Sequence, residues 1–442
     1  MRSARALALA AFCGLLSGCA SLTSDERAPR TDPVARLTVT GPSPWREDFG
    51  DPELRRLVDL ADARALDVKM VLARLERAKA EVEAADAPRS PHLEAGLLGA
   101  IGDATFRTSR TAATPTLEAT YEIDLWGRLA SARTAARSDR DAAAFDVAAA
   151  RVLTGAETTR AYLALRAAQQ QQAADFERRG DAERALVLTT TQAAFGRATR
   201  RDCAAREIAV QAAIDLALHA REEAGAQAAR LADLTGQTAY MPPDSARSQS
   251  GAAPASVSSA LVDQRPEVQA AFARLQAADQ NRAAAVRAAR PAFQIAAGLG
   301  SPDAAIATLL DVKSLAWAAA ASLTKAVIDG GAARARVHGA SADADLADLA
   351  YRQAVMSAWA DLRAASVAWD RAQRELSSAE AKSVAARAAM AAGQARHDAG
   401  VIDGIALIDL RDAARDGDDA VRLAQLNLDE ARVRRALAAG GR

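Results

Sequence analysis

Two hydrophobic periodicities divide this chain. Between Pro115 and Pro242, and again after Pro302, no proline interrupts long tracts of Ala, Leu, Arg, Asp and Glu. Such tracts favour helix. They predict near-continuous helices over residues 132–195 and 332–399, each on the order of 100 Å at the helical rise. Gly196 and Gly400 mark the stops. Further helices are predicted over residues 199–234 and 405–437, so each half of the chain closes in a long helical hairpin.

A period of two replaces the helical pattern in four short stretches. After Pro91, Leu93, Ala95, Leu97 and Ile101 are apolar while His92 and Glu94 alternate with them. After Pro115, Leu117, Ala119, Tyr121 and Ile123 oppose Thr116, Glu118, Thr120, Glu122 and Asp124. In the second half Phe293, Ile295, Ala297 and Leu299 oppose Gln294 and small residues. Leu315, Trp317, Ala319, Ala321 and Leu323 then oppose Ala316, Ala318, Ser322 and Thr324. Period two means strands, so each half carries one hairpin, over residues 92–124 and 292–327. Strands of about 9–11 residues with one apolar and one polar face suit a transmembrane barrel, and the acids on one face suit a wet lumen. A small sheet half-buried on helices is the alternative. Four strands cannot close alone, since the smallest barrels have about eight. Several chains must share one barrel.

The two halves read as copies. Pro91 and Pro291, Gly196 and Gly400, and Leu165-Arg166-Ala167-Ala168 with Leu362-Arg363-Ala364-Ala365 recur in order at nearly one spacing. The predicted organisation is a signal segment over 1–18, a proline-rich tether over 19–51, a first repeat over 52–240, a linker over 241–260 and a second repeat over 261–442. The fold class is mainly α with a small β part.

Composition sharpens this picture. Hydrophobic residues make up 50% of the chain, yet mean hydropathy is −0.10 and aromatics are 4%. Helices must therefore meet through Ala and Gly and not around a large aromatic core. The 56 basic and 56 acidic residues balance and interleave, which disfavours nucleic-acid binding. At the N-terminus Arg2 and Arg5 precede a short apolar stretch, the pattern of an export signal. Leu16-Ser17-Gly18-Cys19 resembles a lipobox, which makes Cys19 the expected site of a covalent lipid, the one non-protein group expected. Ala20 follows it, favouring sorting to the outer membrane. Cys13 lies in the removed segment, so Cys203 is left without an intramolecular disulfide partner and is read as a small helix-packing residue.

No glycine-rich phosphate loop or Gly-x-Ser-x-Gly occurs, and His92, His219, His338 and His397 are scattered without metal-ligand spacing. An enzyme is not expected. A passive conduit is the leading reading, and a lipid-anchored coiled-coil adaptor or scaffold of the cell envelope is the alternative, which has no need of two amphipathic hairpins.

The chain resembles the TolC-like outer-membrane efflux channels, in particular their lipoprotein or NodT branch. Trp45 with Phe49-Gly50-Asp51-Pro52-Glu53-Leu54, then Tyr121-Glu122-Ile123-Asp124-Leu125-Trp126-Gly127-Arg128, then Arg265-Pro266-Glu267-Val268 carry the resemblance. It departs from the family at Thr324-Lys325-Ala326-Val327-Ile328-Asp329-Gly330-Gly331 and in its ending, Leu437-Ala438-Ala439-Gly440-Gly441-Arg442. The resemblance implies a homotrimer that pools strands into a barrel of about twelve, continued by a long α-helical barrel. It implies export of small molecules handed over by an inner-membrane pump of RND type through a periplasmic adaptor. By that resemblance the turns after Gly196 and Gly400 form the periplasmic tip, with Arg197, Arg200, Arg201, Val401 and Ile402 as adaptor contacts. It places a gate at Asp409, nine positions after Gly400, and at Asp202, six after Gly196. Asp403 and Asp412 are weaker gate candidates, and Arg411 and Arg415 are the expected counter-charges of Asp409. Where some members carry a further aspartate this chain has Ala406.

Overall fold

The computed structural model describes residues 49–103, 109–241, 259–300 and 316–441. Residues 1–48, with Cys19 and nearly all of the tether, and most of the linker lie outside them. In chain order the elements are α1 (Pro52–Arg64), α2 (Leu66–Asp86), β1 (His92–Asp103), β2 (Ser109–Ile123), α3 (Arg128–Ala194), α4 (Arg200–Thr235), α5 (Pro266–Ala288), β3 (Ala292–Gly300), β4 (Ala316–Thr324), α6 (Ala332–Asp398) and α7 (Gly404–Ala438). Short 3-10 turns, Ala87–Arg89 and Ser259–Gln264, precede β1 and α5.

α3 and α6 are both 67 residues long. Their flanking left-handed glycines recur 204 positions apart: Gly127 and Gly331, Gly196 and Gly400, Gly236 and Gly440. The repeat is therefore in strict register from the first long helix to the end of the hairpin, and on that register Leu165 corresponds to Trp369, so the Leu-Arg-Ala-Ala recurrence falls two helical turns out of step and does not mark the copies.

α3 begins four residues earlier than the composition suggested. Asp124 explains the start, because its Oδ2 accepts from the Ala130 N–H at 2.8 Å, and Asp329 accepts from Gly331 and Ala333 ahead of α6. β2 also runs through Pro115 and does not begin after it. Pro115 pairs with Leu97 of β1.

The chain divides into two compact units. Among described residues, unit 1 holds 73–144 and 269–353, and contains the sheet. Its four strands are antiparallel in the order β1-β2-β3-β4, so that among the described residues β1 and β4 are the sheet's edges. Phe272 and Tyr351 on the helices of this unit meet in a tilted ring contact, centroids 5.5 Å apart.

Unit 2 holds 49–72, 145–268 and 354–441 among described residues. Its main core gathers Phe49, Leu57, Val58, Tyr162, Leu231 and Val433 with many alanines, and a smaller cluster joins Trp369, Ala372, Leu428 and Ala431. Alanine and glycine bring the helices close. At Gly417 of α7 an added Cβ would lie 3.0 Å from Ser383 Cα of α6.

Candidate channel wall and gate

The sheet register sorts the strand side chains by face. Leu117, Leu299 and Trp317 form one cross-strand row, Tyr121, Ile295 and Ala321 another, and Ile123, Phe293 and Leu323 a third. Directly paired residues share a face, so these rows make one apolar surface. Leu93, Leu117, Ile295, Trp317 and Leu323 on it are exposed within the single chain. The opposite face carries Glu94 opposite Glu118, Glu122 opposite Gln294, and Gln294 opposite Ser322. Among the described residues most side chains on both faces are exposed within the single chain, which fits a free-standing sheet better than a platform half-buried on helices.

The motifs that flank the strands are structural. Trp126 donates from Nε1 to the Pro291 carbonyl at 2.7 Å, Arg290 lies over its ring at 5.4 Å, and Arg128 pairs with Glu122 at 2.7 Å. In unit 2, Asp51 caps α1 by accepting from Glu53 and Leu54 N–H while Tyr162 Oη donates to its other oxygen at 2.7 Å. Gly50, at φ 60°, supplies the turn before that cap. Burial and the Asp51 hydrogen bond push the Tyr162 hydroxyl well above its ordinary range. Arg265 reaches Asp361 at 3.0 Å as Pro266 opens α5.

Both helical turns end in a left-handed glycine, φ 70° at Gly196 and 72° at Gly400. Arg197 N–H donates to the Gln192 carbonyl and Val401 N–H to that of Arg396, both at 2.8 Å, the Schellman closure of a helix end. Gln192 donates to Asp403 Oδ2 at 3.1 Å, which ties one turn to the other. Arg197, Arg200, Arg201 and Val401 are exposed and Ile402 is half-buried. Phe195, 77% exposed beside Gly196, is a tip residue that the sequence reading passed over.

The four gate candidates do different things. Asp202 is the third residue of α4 and completes a capping box with Thr199, whose N–H and Oγ1 donate to it at 2.8 and 2.7 Å. Those bonds hold its carboxyl below the ordinary value. Asp403 caps α7 by accepting from Ala406 N–H at 2.9 Å, and that bond, with Gln192, lowers its pKa too. Asp409 is exposed and bonded to Arg206 of α4 at 3.0 Å.

The expected pairing of Asp409 with Arg411 or Arg415 is corrected by this contact. Two and six residues along a helix are about 200° and 240° around it, so neither arginine shares the face of Asp409. Arg411 instead donates to Gln394 of α6 at 3.1 Å, and Arg415 binds Asp412 at 3.0 Å together with Asp181 of α3. Asp412 therefore belongs to a second charge site.

That site extends as a charged seam along α3 and α7. Asp181, fully buried, accepts from Arg184 and Arg415. Further along, Arg178 joins buried Asp175 at 2.6 Å to Asp416 and Asp419 at 3.0 and 2.8 Å. Burial pushes the Asp181 carboxyl up, but its arginine bonds outweigh this and leave it lowered. Asp412 is raised, because burial exceeds the help from Arg415. Among the described residues no group of three His, Cys, Asp or Glu is placed to hold a metal, and no helix is long and apolar enough to cross a membrane.

The family model described as outer membrane efflux protein matches twice, over residues 57–237 and 257–441. The outer membrane protein OprJ of Pseudomonas aeruginosa is 28% identical over 380 residues, 83% of this chain and 79% of that protein. A probable outer membrane lipoprotein, SilC of Salmonella typhimurium, is 24% identical over 385 residues, 79% of each. A solved membrane protein from Pseudomonas aeruginosa superposes with a TM-score of 0.81 at 26% identity, covering 93% of this chain and all of that one. A structure of CusC gives the same TM-score at 18% identity over 92% and 96% of the two chains, which speaks to the fold alone.

Proposed function

For this chain, which belongs to the outer membrane efflux protein family, we propose the role of passive conduit in a three-part envelope exporter. Three copies join β4 of one to β1 of the next, closing a barrel of about twelve strands whose apolar face meets lipid and whose polar face lines water. The helical hairpins form the periplasmic part and receive cargo from an inner-membrane pump of RND type through an adaptor docked at the turns after Gly196 and Gly400. Cys19 carries the lipid anchor.

The observation that supports this best is the sheet itself, which over the rows from Leu117 to Ile123 has one apolar and one polar face, with β1 and β4 at its edges among the described residues. An isolated chain leaves both edges and the apolar face unsatisfied. Single-channel recording of purified protein in planar bilayers tests the reading: stable conductance steps are expected, and a folded trimer without them overturns it. Cys19→Ser is expected to abolish acyl labelling while part of the protein stays in the membrane through the barrel. Complete release as a soluble monomer would argue against the barrel.

A further inference from the structure

Within unit 2, segments of α3, α6 and α7 line an open groove of about 610 Å³. Its wall carries four guanidinium groups, from Arg184, Arg387, Arg411 and Arg415, against three acids, Glu177, Asp181 and Asp418. Two of those acids are already occupied. Asp181 is held by Arg184 and Arg415, and Asp418 accepts from Arg387 at 2.9 Å and from Ser383 Oγ at 2.6 Å. Arg411 donates to the neutral Gln394 amide and stands 3.9 Å from the doubly bonded Asp181. With five N–H donors, its guanidinium retains capacity for an incoming anion.

The rest of the wall is apolar. Phe176, 72% exposed, half-buried Met390 and buried Ala414 complete the lining. Gly180 keeps the α3 side open because it has no side chain. The volume falls within the roughly 300–1,000 Å³ typical of small-molecule sites.

We propose that this groove binds an amphiphilic anion, with a carboxylate or sulfonate on Arg411 and an apolar body against Phe176, Met390 and Ala414. A bare inorganic anion would leave the apolar wall wet, and an uncharged amphiphile would leave Arg411 without a new acceptor. The site goes beyond the conduit role and does not depend on it. A bound molecule would clamp α7 to α3 and α6 a few residues from Asp409.

The test uses the purified full chain in dodecyl maltoside, a diazirine-bearing cholate as photoprobe, and peptide mass spectrometry to map adducts. Labelling is expected on residues 176–184 and 387–390, competed by free cholate and unaffected by inorganic phosphate. Arg411→Gln is expected to lower it about tenfold, the usual worth of a charge-assisted hydrogen bond. Ala414→Trp, which fills the groove and keeps every charge, is expected to abolish it and serves if Arg411→Gln does not fold. Adducts elsewhere, undiminished labelling in both variants, or equal labelling by an uncharged diazirine steroid would overturn the proposal. Displacement by phosphate would overturn its amphiphilic part.

Discussion

Arg206 of α4 donates to both carboxylate oxygens of Asp409 on α7, at 3.0 and 3.4 Å. The acid expected to face a lumen therefore brings its counter-charge from the neighbouring hairpin. Side-chain exposures of 28% and 56% leave the pair open to solvent, so it contributes little to stability, about 0–1 kcal/mol. Its effect belongs to the local field. Asp409→Asn should reduce cation preference and Arg206→Ala should increase it, with trimer assembly unchanged in both. Reversal potentials across a salt gradient measure this, and unchanged values in both variants would remove the pair from the gate.

The sequence made some of this legible and hid the rest for a physical reason. Period-two stretches and proline-free tracts are local signals, and Gly196 and Gly400 are local stops, so strands, helices and turns could be read from short windows. Arg206 and Asp409 lie 203 residues apart, and no window contains both. Asp181 with Arg184, or Asp175 with Arg178, looks locally like the solvated surface of any charged helix. Only packing of α7 against α3 reveals that these acids are buried. Asp202, placed at the gate by the family resemblance, and Asp403 both accept hydrogen bonds at the start of a helix, a role that short windows also display.

The seam at Asp181 should govern acid stability. Asp181→Asn removes the acceptor shared by exposed Arg184 and by Arg415, which keeps Asp412, and is expected to cost about 1–3 kcal/mol at neutral pH. Because the folded Asp181 value is lowered, its contribution is present above the ordinary carboxylate range and is lost as pH falls through the folded value. Asp412 has the opposite sign: its raised value favours the folded state below the ordinary range, and that contribution is lost as pH rises through the folded value. Asp412→Asn should thus be neutral or stabilising at pH 7 and should lose that advantage in acid. Denaturant titrations at pH 7 and pH 3 followed by circular dichroism decide the matter. An Asp181→Asn protein with the wild-type pH dependence would refute the assignment.

Two helical glycines should respond oppositely to alanine. At Gly417 the new Cβ meets Ser383 backbone at 3.0 Å, so α6 and α7 must part, and overpacking of this kind costs about 1–3 kcal/mol. At Gly225 of α4 no atom lies within 4 Å, so alanine should gain up to about 1 kcal/mol from helix preference. Melting temperatures of the two variants check this contrast. A stabilised Gly417→Ala would mean that the close α6–α7 approach is not required.

The two faces of the sheet make the strongest test of the barrel, because adjacent residues on β3 should tolerate charge very differently. Ile295 sits in the apolar row between Tyr121 and Ala321, while Gln294 sits in the polar row between Glu122 and Ser322. A lysine on the lipid-facing side costs about 2–4 kcal/mol near the bilayer midplane and less toward the interfaces. Three chains share the barrel in the proposed assembly, so the penalty for Ile295→Lys is paid in each. Gln294→Lys places the same charge toward water and opposite Glu122, where it should be tolerated and should shift ion preference toward anions. Unheated gel electrophoresis of membrane fractions should show the trimer band lost or weakened for Ile295→Lys and retained for Gln294→Lys. Full assembly of Ile295→Lys with failure of Gln294→Lys would reverse the assignment of the faces, and equal assembly of both would argue that this sheet does not meet lipid.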